Sequence, residues 1–155
     1  MGNAGMRRPQ ELVIARVIDA PRELVFQAWT RSEHAMQWWG PDGFDVFKME
    51  MDIRPGGKWR KGMRAPDGRE WWRHGVYREI VPPERLVFTY FSDDHFTNPG
   101  HESLVTVTFE EVGSQTRMTL RHGNFESQQS RDAHLGGWTS TMNRMATLVE
   151  RAQHE

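Results

Sequence analysis

The stretch LGGWTSTMNRMATLVERA, residues 135–152, decides the fold of this sequence. Its apolar residues recur every three or four positions, which places them on one face of an α-helix: Leu135, Trp138, Met142, Met145, Val149 and Ala152. We therefore predict an amphipathic helix of about 20 residues or more, with Ser127 or Ser130 as its N-cap. Gly136 and Gly137 leave two alternatives open. They either allow close approach to another element or delay regular helix until Trp138.

The sequence before this helix predicts first one strand and then two short helices. Residues 11–19, ELVIARVID, alternate and are rich in Val and Ile, which is typical of a strand. Pro21 suits the first turn of a helix, because its missing N–H has no partner there. Residues 33–39 form a second short helix, which ends at the turn Gly40-Pro41-Asp42-Gly43.

Six further strands follow, separated by turn residues. We place them at residues 44–53, 58–64, 69–81, 85–91, 103–112 and 115–122. Short connections between successive strands favour an antiparallel meander. A sheet with one apolar face needs a cover, and the C-terminal helix is the element long enough to supply it. We predict an α+β fold in which a curved antiparallel sheet of six to seven strands surrounds that helix.

The composition argues against two classes of protein, those that bind nucleic acid and those that insert into a membrane. The 155 residues carry 20 basic and 21 acidic side chains, a balance that argues against binding a nucleic-acid backbone. The absence of cysteine indicates a reducing compartment, and no run of about 18 apolar residues occurs, so we expect a cytoplasmic protein without membrane insertion. We expect a flexible leader at residues 1–10 and one domain at residues 11–155.

The sequence offers little for catalysis or metal binding. Without Cys or a Gly-x-Ser-x-Gly motif, no activated nucleophile is indicated, and we predict no catalytic residue and no cofactor. The segment DDHFTNPGHE supplies ligand types for a metal: Asp93, Asp94, His95, His101 and Glu102. Its spacing fixes no two ligands on one helical face, so we predict a solvated loop and no metal site.

Several blocks resemble a known family when taken together: APRELVFQAWT, QWWGP, DIRPGGKW, HGVYREIVPPERLVFTYF and SLVTVTFEE with TRMTLRHGNF. In combination they resemble a standalone protein of the family homologous to the C-terminal domain of the activator of the ninety-kilodalton heat-shock protein ATPase. That family belongs to the START-like, or SRPBCC, superfamily of helix-grip folds, and the resemblance covers about residues 11–152. It implies a deep apolar cavity between the sheet and the C-terminal helix. It does not transfer one function, because one fold hosts several.

The seven tryptophans and eight phenylalanines supply more rigid aromatic surface than a single compact core accommodates, so some should line a space. We predict that the protein binds a small hydrophobic ligand, aromatic or lipid-like, in this cavity. The candidate lining residues are Trp38, Trp39, Phe44, Trp59, Trp72, His74, Phe91, His122, Trp138 and Met142. Which of the adjacent Trp38 and Trp39 faces the cavity stays open.

Two other functions use the same fold. An enzyme of the cyclase, aromatase or hydrolase type would need a polar pair inside the cavity, His74 or His122 with Glu79 or Arg78. Regulation of a chaperone ATPase follows only from the family name. We expect it least, because the eukaryotic activators carry an additional N-terminal domain. A homodimer formed through an exposed strand edge is a further prediction that the sequence leaves open.

Overall fold

The computed structural model describes residues 11–92 and 101–153. Within these ranges the chain forms seven strands and three helices in the predicted order. The strands are β1 (Leu12–Ile18), β2 (Asp45–Met51), β3 (Lys58–Arg64), β4 (Glu70–Val81), β5 (Arg85–Ser92), β6 (Ser103–Val112) and β7 (Gln115–Gly123), and the helices are α1 (Arg22–Thr30), α2 (Ser32–Trp38) and α3 (Gln128–Gln153). The predicted leader and the centre of the predicted polar loop, residues 93–100, lie outside the described ranges.

The described strands form one antiparallel sheet in the order β1, β7, β6, β5, β4, β3, β2. Strands β2 to β7 are paired in chain order, as short connections require, and β1 closes against β7. Bulges interrupt the β2–β3 pairing after Val46 and the β4–β5 pairing after Tyr77, and bulges bend a sheet. The sheet curls into a half-barrel, so the predicted α+β helix-grip fold is confirmed.

Helix α3 covers the inner face of this sheet. Its N-cap is Ser127, whose side-chain oxygen accepts a hydrogen bond from the backbone N–H of Ser130 at 3.0 Å. Trp138, Met142 and Met145 are buried, as the three-four spacing predicts. Regular helix runs through Gly136 and Gly137, so the alternative start at Trp138 is wrong. Although α3 has 26 residues, no helix in the described ranges is apolar over a sufficient length to cross a membrane.

The two short helices pack their aromatic residues into the same core. Trp29 on α1 meets Trp38 on α2 edge to face, with ring centroids 4.7 Å apart. The indole N–H of Trp38 donates to the backbone oxygen of Ala28 at 3.0 Å, so this polar atom is satisfied inside the core. Helix α2 ends at Trp38, and Trp39 takes a non-helical backbone conformation that directs the chain toward the sheet.

Candidate functional site

A partly open cavity of about 510 Å³ lies between the inner face of the sheet and α3. Its volume falls in the range of about 300–1,000 Å³ that is usual for small-molecule sites. Strands β3, β4 and β5, helix α3 and the turn after α2 all contribute to its walls. The lining residues are Trp39, Pro41, Phe44, Lys61, Met63, Trp71, Arg73, Tyr90, Glu126, Ser127, Gln129, Ser130, Ala133, His134, Gly137, Trp138 and Thr141.

One wall of the cavity is aromatic. Trp39 stacks on Trp59 behind it, with ring centroids 5.0 Å apart and planes 23° from parallel. Trp138 from α3 lies 6.2 Å from Trp39, and Phe44 meets Trp71 edge to face at 5.2 Å. Such pairs favour offset or edge-to-face geometry, which fixes the rings before any ligand arrives. The wall is therefore a rigid apolar surface.

The turn that carries this wall is tied to α3 by Arg144. Its guanidinium donates to the backbone oxygens of Gln37, Gly40 and Pro41 at 3.2, 2.6 and 3.2 Å. Hydrogen bonds with a charged donor are stronger than neutral ones, so three of them hold the turn firmly. The question about the adjacent indoles is answered: Trp39 faces the cavity, while Trp38 lies in the core beside α1.

A lysine lies on the cavity wall. Alternation along β3 directs Trp59, Lys61 and Met63 toward α3, and Lys61 is only 2% exposed. Its Nζ donates to the backbone oxygen of Trp39 at 3.1 Å and lies 4.7 Å from the centroid of that indole. No ion pair of Lys61 occurs within the described ranges. Burial, and secondly the charge of Arg73, hold the pKa of Lys61 well below its ordinary value.

Arg73 on β4 extends this polar part of the wall. It is 4% exposed, and its Nε donates to the hydroxyl of Tyr90 at 3.0 Å. A second guanidinium nitrogen donates to the backbone oxygen of Trp72 at 3.0 Å. The guanidinium also lies 5.4 Å from the centroid of Trp71, within the range of a cation–π contact. These contacts fix its position beside the cavity.

Behind Trp138 a buried histidine is held in one tautomer. The indole N–H of Trp138 donates to Nδ1 of His122 at 2.9 Å, so that nitrogen carries no proton. The Ser103 hydroxyl donates to the backbone oxygen of Tyr90, which leaves its oxygen to accept from Nε2–H of His122 at 2.7 Å. Burial, then the neighbouring His134 and Arg73, hold the pKa of His122 well below its ordinary value. The imidazole is neutral and orients Trp138.

The ten candidate lining residues fall into three groups. Trp39, Phe44 and Trp138 line the cavity. Trp38, Trp59, His122 and Met142 are buried in the core around it and do not reach its surface. Trp59 supports Trp39 from behind and donates its indole N–H to the backbone oxygen of Thr89 at 3.1 Å, while His122 supports Trp138. Trp59 and His122 therefore hold the lining side chains in place and do not themselves contact the cavity.

The third group corrects the prediction. Trp72, His74 and Phe91 lie on the opposite face of the sheet, because Trp71 and Arg73 point toward α3 and neighbouring strand residues alternate. The ring of His74 stacks on Phe91 at 4.9 Å. Trp72 packs against Phe47 and lies under the guanidinium of Arg60. These three side chains form an outer aromatic surface and do not line the cavity.

The polar pair that an enzyme would need is not brought together. Arg78 forms an ion pair with Glu102 at 3.2 Å, and Glu79 forms one with Arg85 at 3.0 Å. All four side chains are at least 44% exposed. The bulge after Tyr77 turns both candidates outward. The charged part of the cavity wall comes instead from Lys61 and Arg73, which were not among the predicted site residues.

The alternation of side chains along β3 and β4 is the sequence feature that relates to the missed residues Lys61 and Arg73. Trp59, Lys61 and Met63 alternate on one strand, as do Trp71, Arg73 and Tyr77 on the next. On β4 the prediction followed the other parity, that of Trp72 and His74. Within the described ranges no cluster of His, Asp and Glu could hold a metal ion. Asp93, Asp94 and His95 of the candidate metal loop lie outside those ranges, and His101 bonds to the backbone oxygen of Asn124.

Known proteins share the fold of this chain. The family model described as "Activator of Hsp90 ATPase homolog 1-like protein" matches residues 19–150. A protein from Chromobacterium violaceum has a TM-score of 0.84 and 26% identity, covering 92% of this chain and 98% of its own. The AHSA1 protein from Silicibacter pomeroyi has a TM-score of 0.81 and 26% identity, covering 94% and 99%. No curated protein sequence matches significantly.

Proposed function

The chain belongs to the activator of Hsp90 ATPase homolog 1-like family, and from this premise we propose that it binds a small, largely apolar molecule in the cavity. The observation that carries the proposal is the aromatic wall of Trp39, Phe44, Trp71 and Trp138 around about 510 Å³. Rings fixed by stacking and a turn fixed by Arg144 pre-organise the site, so little ordering remains to oppose binding.

Two adjacent glycines of α3 allow a matched test. Gly137 lines the cavity, and a Cβ there would meet only Pro41 Cγ, at 3.7 Å, so a larger side chain would extend into the space. A Cβ at Gly136 would meet nothing within 4 Å. Both replacements remove a helical glycine and gain similar helix propensity. They differ in whether the new side chain occupies the cavity.

The experiment titrates a panel of aromatic compounds against tryptophan emission in the wild type, Gly137→Leu and Gly136→Leu. Trp39 and Trp138 on the cavity wall should report occupancy directly. We expect at least one compound to bind the wild type and Gly136→Leu alike, and to bind Gly137→Leu at least about 10-fold more weakly. Equal binding by both variants, or no binding by the wild type, would refute the proposal.

The family description also names an activator of a chaperone ATPase. That role rests on the name alone, because no described surface of this chain specifically favours it. Chemical conversion of the ligand has no support from a convergent pair at His74, His122, Arg78 or Glu79. Binding of a small molecule is therefore the function that the geometry supports best.

A further inference from the structure

The cavity contains a group that a purely apolar ligand would leave unused. Lys61 is buried, and its ammonium has three donors, of which one reaches the backbone oxygen of Trp39. We propose that the ligand of this cavity is an amphipathic acid, an aromatic or aliphatic body with one carboxylate, and that Lys61 Nζ binds that carboxylate. The proposal deepens the ligand-binding function and rests on it.

Burial of the Lys61 ammonium costs free energy. Charged side chains are almost never fully buried unless they are paired, because desolvation disfavours the charged form. Glu126 is the acidic side chain among the described residues that line the cavity; it is exposed and forms no ion pair with Lys61. The cation–π contact with Trp39 compensates only part of this cost. A ligand carboxylate would supply the missing partner.

Apolar side chains lie beside Lys61 on the cavity wall. Trp39 and Met63 flank Lys61 on the cavity wall, and Trp138 faces them from α3. An apolar body would contact these side chains while a carboxylate oxygen accepts from Nζ. Burial and Arg73 lower the pKa of Lys61, and an incoming carboxylate would raise it again by favouring the protonated form. A neutral alcohol of the same shape would accept a hydrogen bond from Nζ but would supply no charge opposite the ammonium, so it would gain less than a carboxylate.

The test uses two probes of equal shape, 2-naphthylacetate and 2-(2-naphthyl)ethanol, at pH 7 and constant ionic strength. Their affinities are measured by tryptophan fluorescence and calorimetry in the wild type, Lys61→Met and Lys58→Met. Lys58 is an exposed residue on the same strand and is not part of the lining, so its replacement removes the same charge elsewhere. Any effect of net charge alone appears in both variants.

We expect the wild type and Lys58→Met to bind the acid at least about 10-fold more tightly than the alcohol. Lys61→Met should lose this preference, because its affinity for the acid falls far more than its affinity for the alcohol. Lys61→Gln serves as a second variant if Lys61→Met fails to fold. Equal affinity for both probes in the wild type, or a preference that survives in Lys61→Met, would overturn the assignment. Binding of neither probe, while a compound of the aromatic panel does bind, would overturn the assignment alone; failure of the whole panel would overturn ligand binding and the assignment with it.

Discussion

Acidification should destabilise the fold through His122. In the folded protein Nδ1 accepts from Trp138 and cannot take a proton without losing that bond, and burial, His134 and Arg73 all disfavour the imidazolium. In the unfolded chain the same imidazole titrates near its ordinary pKa of 6.5. As the pH falls below this value, the unfolded state binds a proton that the folded state does not. The contribution of His122 to the free energy of unfolding is therefore fully present above about pH 6.5 and is lost progressively as the pH falls below this value.

The magnitude follows from the linkage relation. Each pH unit in this window removes about 1.4 kcal/mol from the free energy of unfolding. With the folded imidazole neutral throughout, lowering the pH from 8 to 5 removes about 2 kcal/mol through this one group. Such a loss is a large part of the roughly 5–15 kcal/mol that stabilises a typical domain.

Urea unfolding followed by tryptophan fluorescence at pH 8, 6.5 and 5 measures the effect. Other titrating groups contribute as well, so the relevant quantity is the difference between the wild type and His122→Asn or His122→Gln. The loss between pH 8 and 5 should be about 2 kcal/mol smaller in these variants. His74→Gln, outside the network, controls for removing a histidine. Parallel pH curves for the wild type and both His122 variants would refute the reasoning. So would an NMR titration in which folded His122 protonates near pH 6.5.

Two further replacements test the packing that supports the cavity. Gly75→Ala should lower the free energy of unfolding by about 3 kcal/mol or more, because the new Cβ would lie 1.9 Å from the backbone oxygen of Thr89 and 2.5 Å from Trp59 Nε1. A loss under about 1 kcal/mol in chemical denaturation would contradict this packing. Tyr77→Phe should raise the free energy of unfolding by about 1 kcal/mol, because the buried hydroxyl has no hydrogen-bond partner in the described ranges. A measurable loss of stability in the same assay would show that the hydroxyl has a partner.

The fold could be predicted because its signals are local and repeated. The three-four spacing of Trp138, Met142 and Met145 defines the buried face of α3, and Ser127 caps it as expected. The order of β2 to β7 followed from the connections between successive strands, whereas the long-range pairing of β1 with β7 was not predicted. These features depend on periodicity and turn chemistry, which each segment carries within itself.

The cavity lining on β4 could not be predicted because strand parity was ambiguous there. Trp71 and Trp72 are adjacent indoles, and one must face outward whichever parity is chosen. The outer face also carries aromatic partners, Phe47 for Trp72 and Phe91 for His74, so both faces of the strand look apolar. The inner face of β4 is marked by Gly75, which leaves room for the indole of Trp59 on the paired strand β3. This contact joins two strands, so it cannot be read from the sequence of β4 alone.

On β3 the choice of Trp59 had the correct parity, but Lys61 was missed because it stands among other cations. Lys58, Arg60 and Arg64 point to solvent, while Lys61 points inward. Its inward position has a consequence for stability. Burial of an ammonium without a charged partner costs free energy, because one hydrogen bond to a backbone oxygen returns less than the lost hydration. The fold itself therefore has little need of a cation at this position. A bound carboxylate would need it, because in the proposed complex the positive charge of Lys61 would offset the negative charge of the ligand.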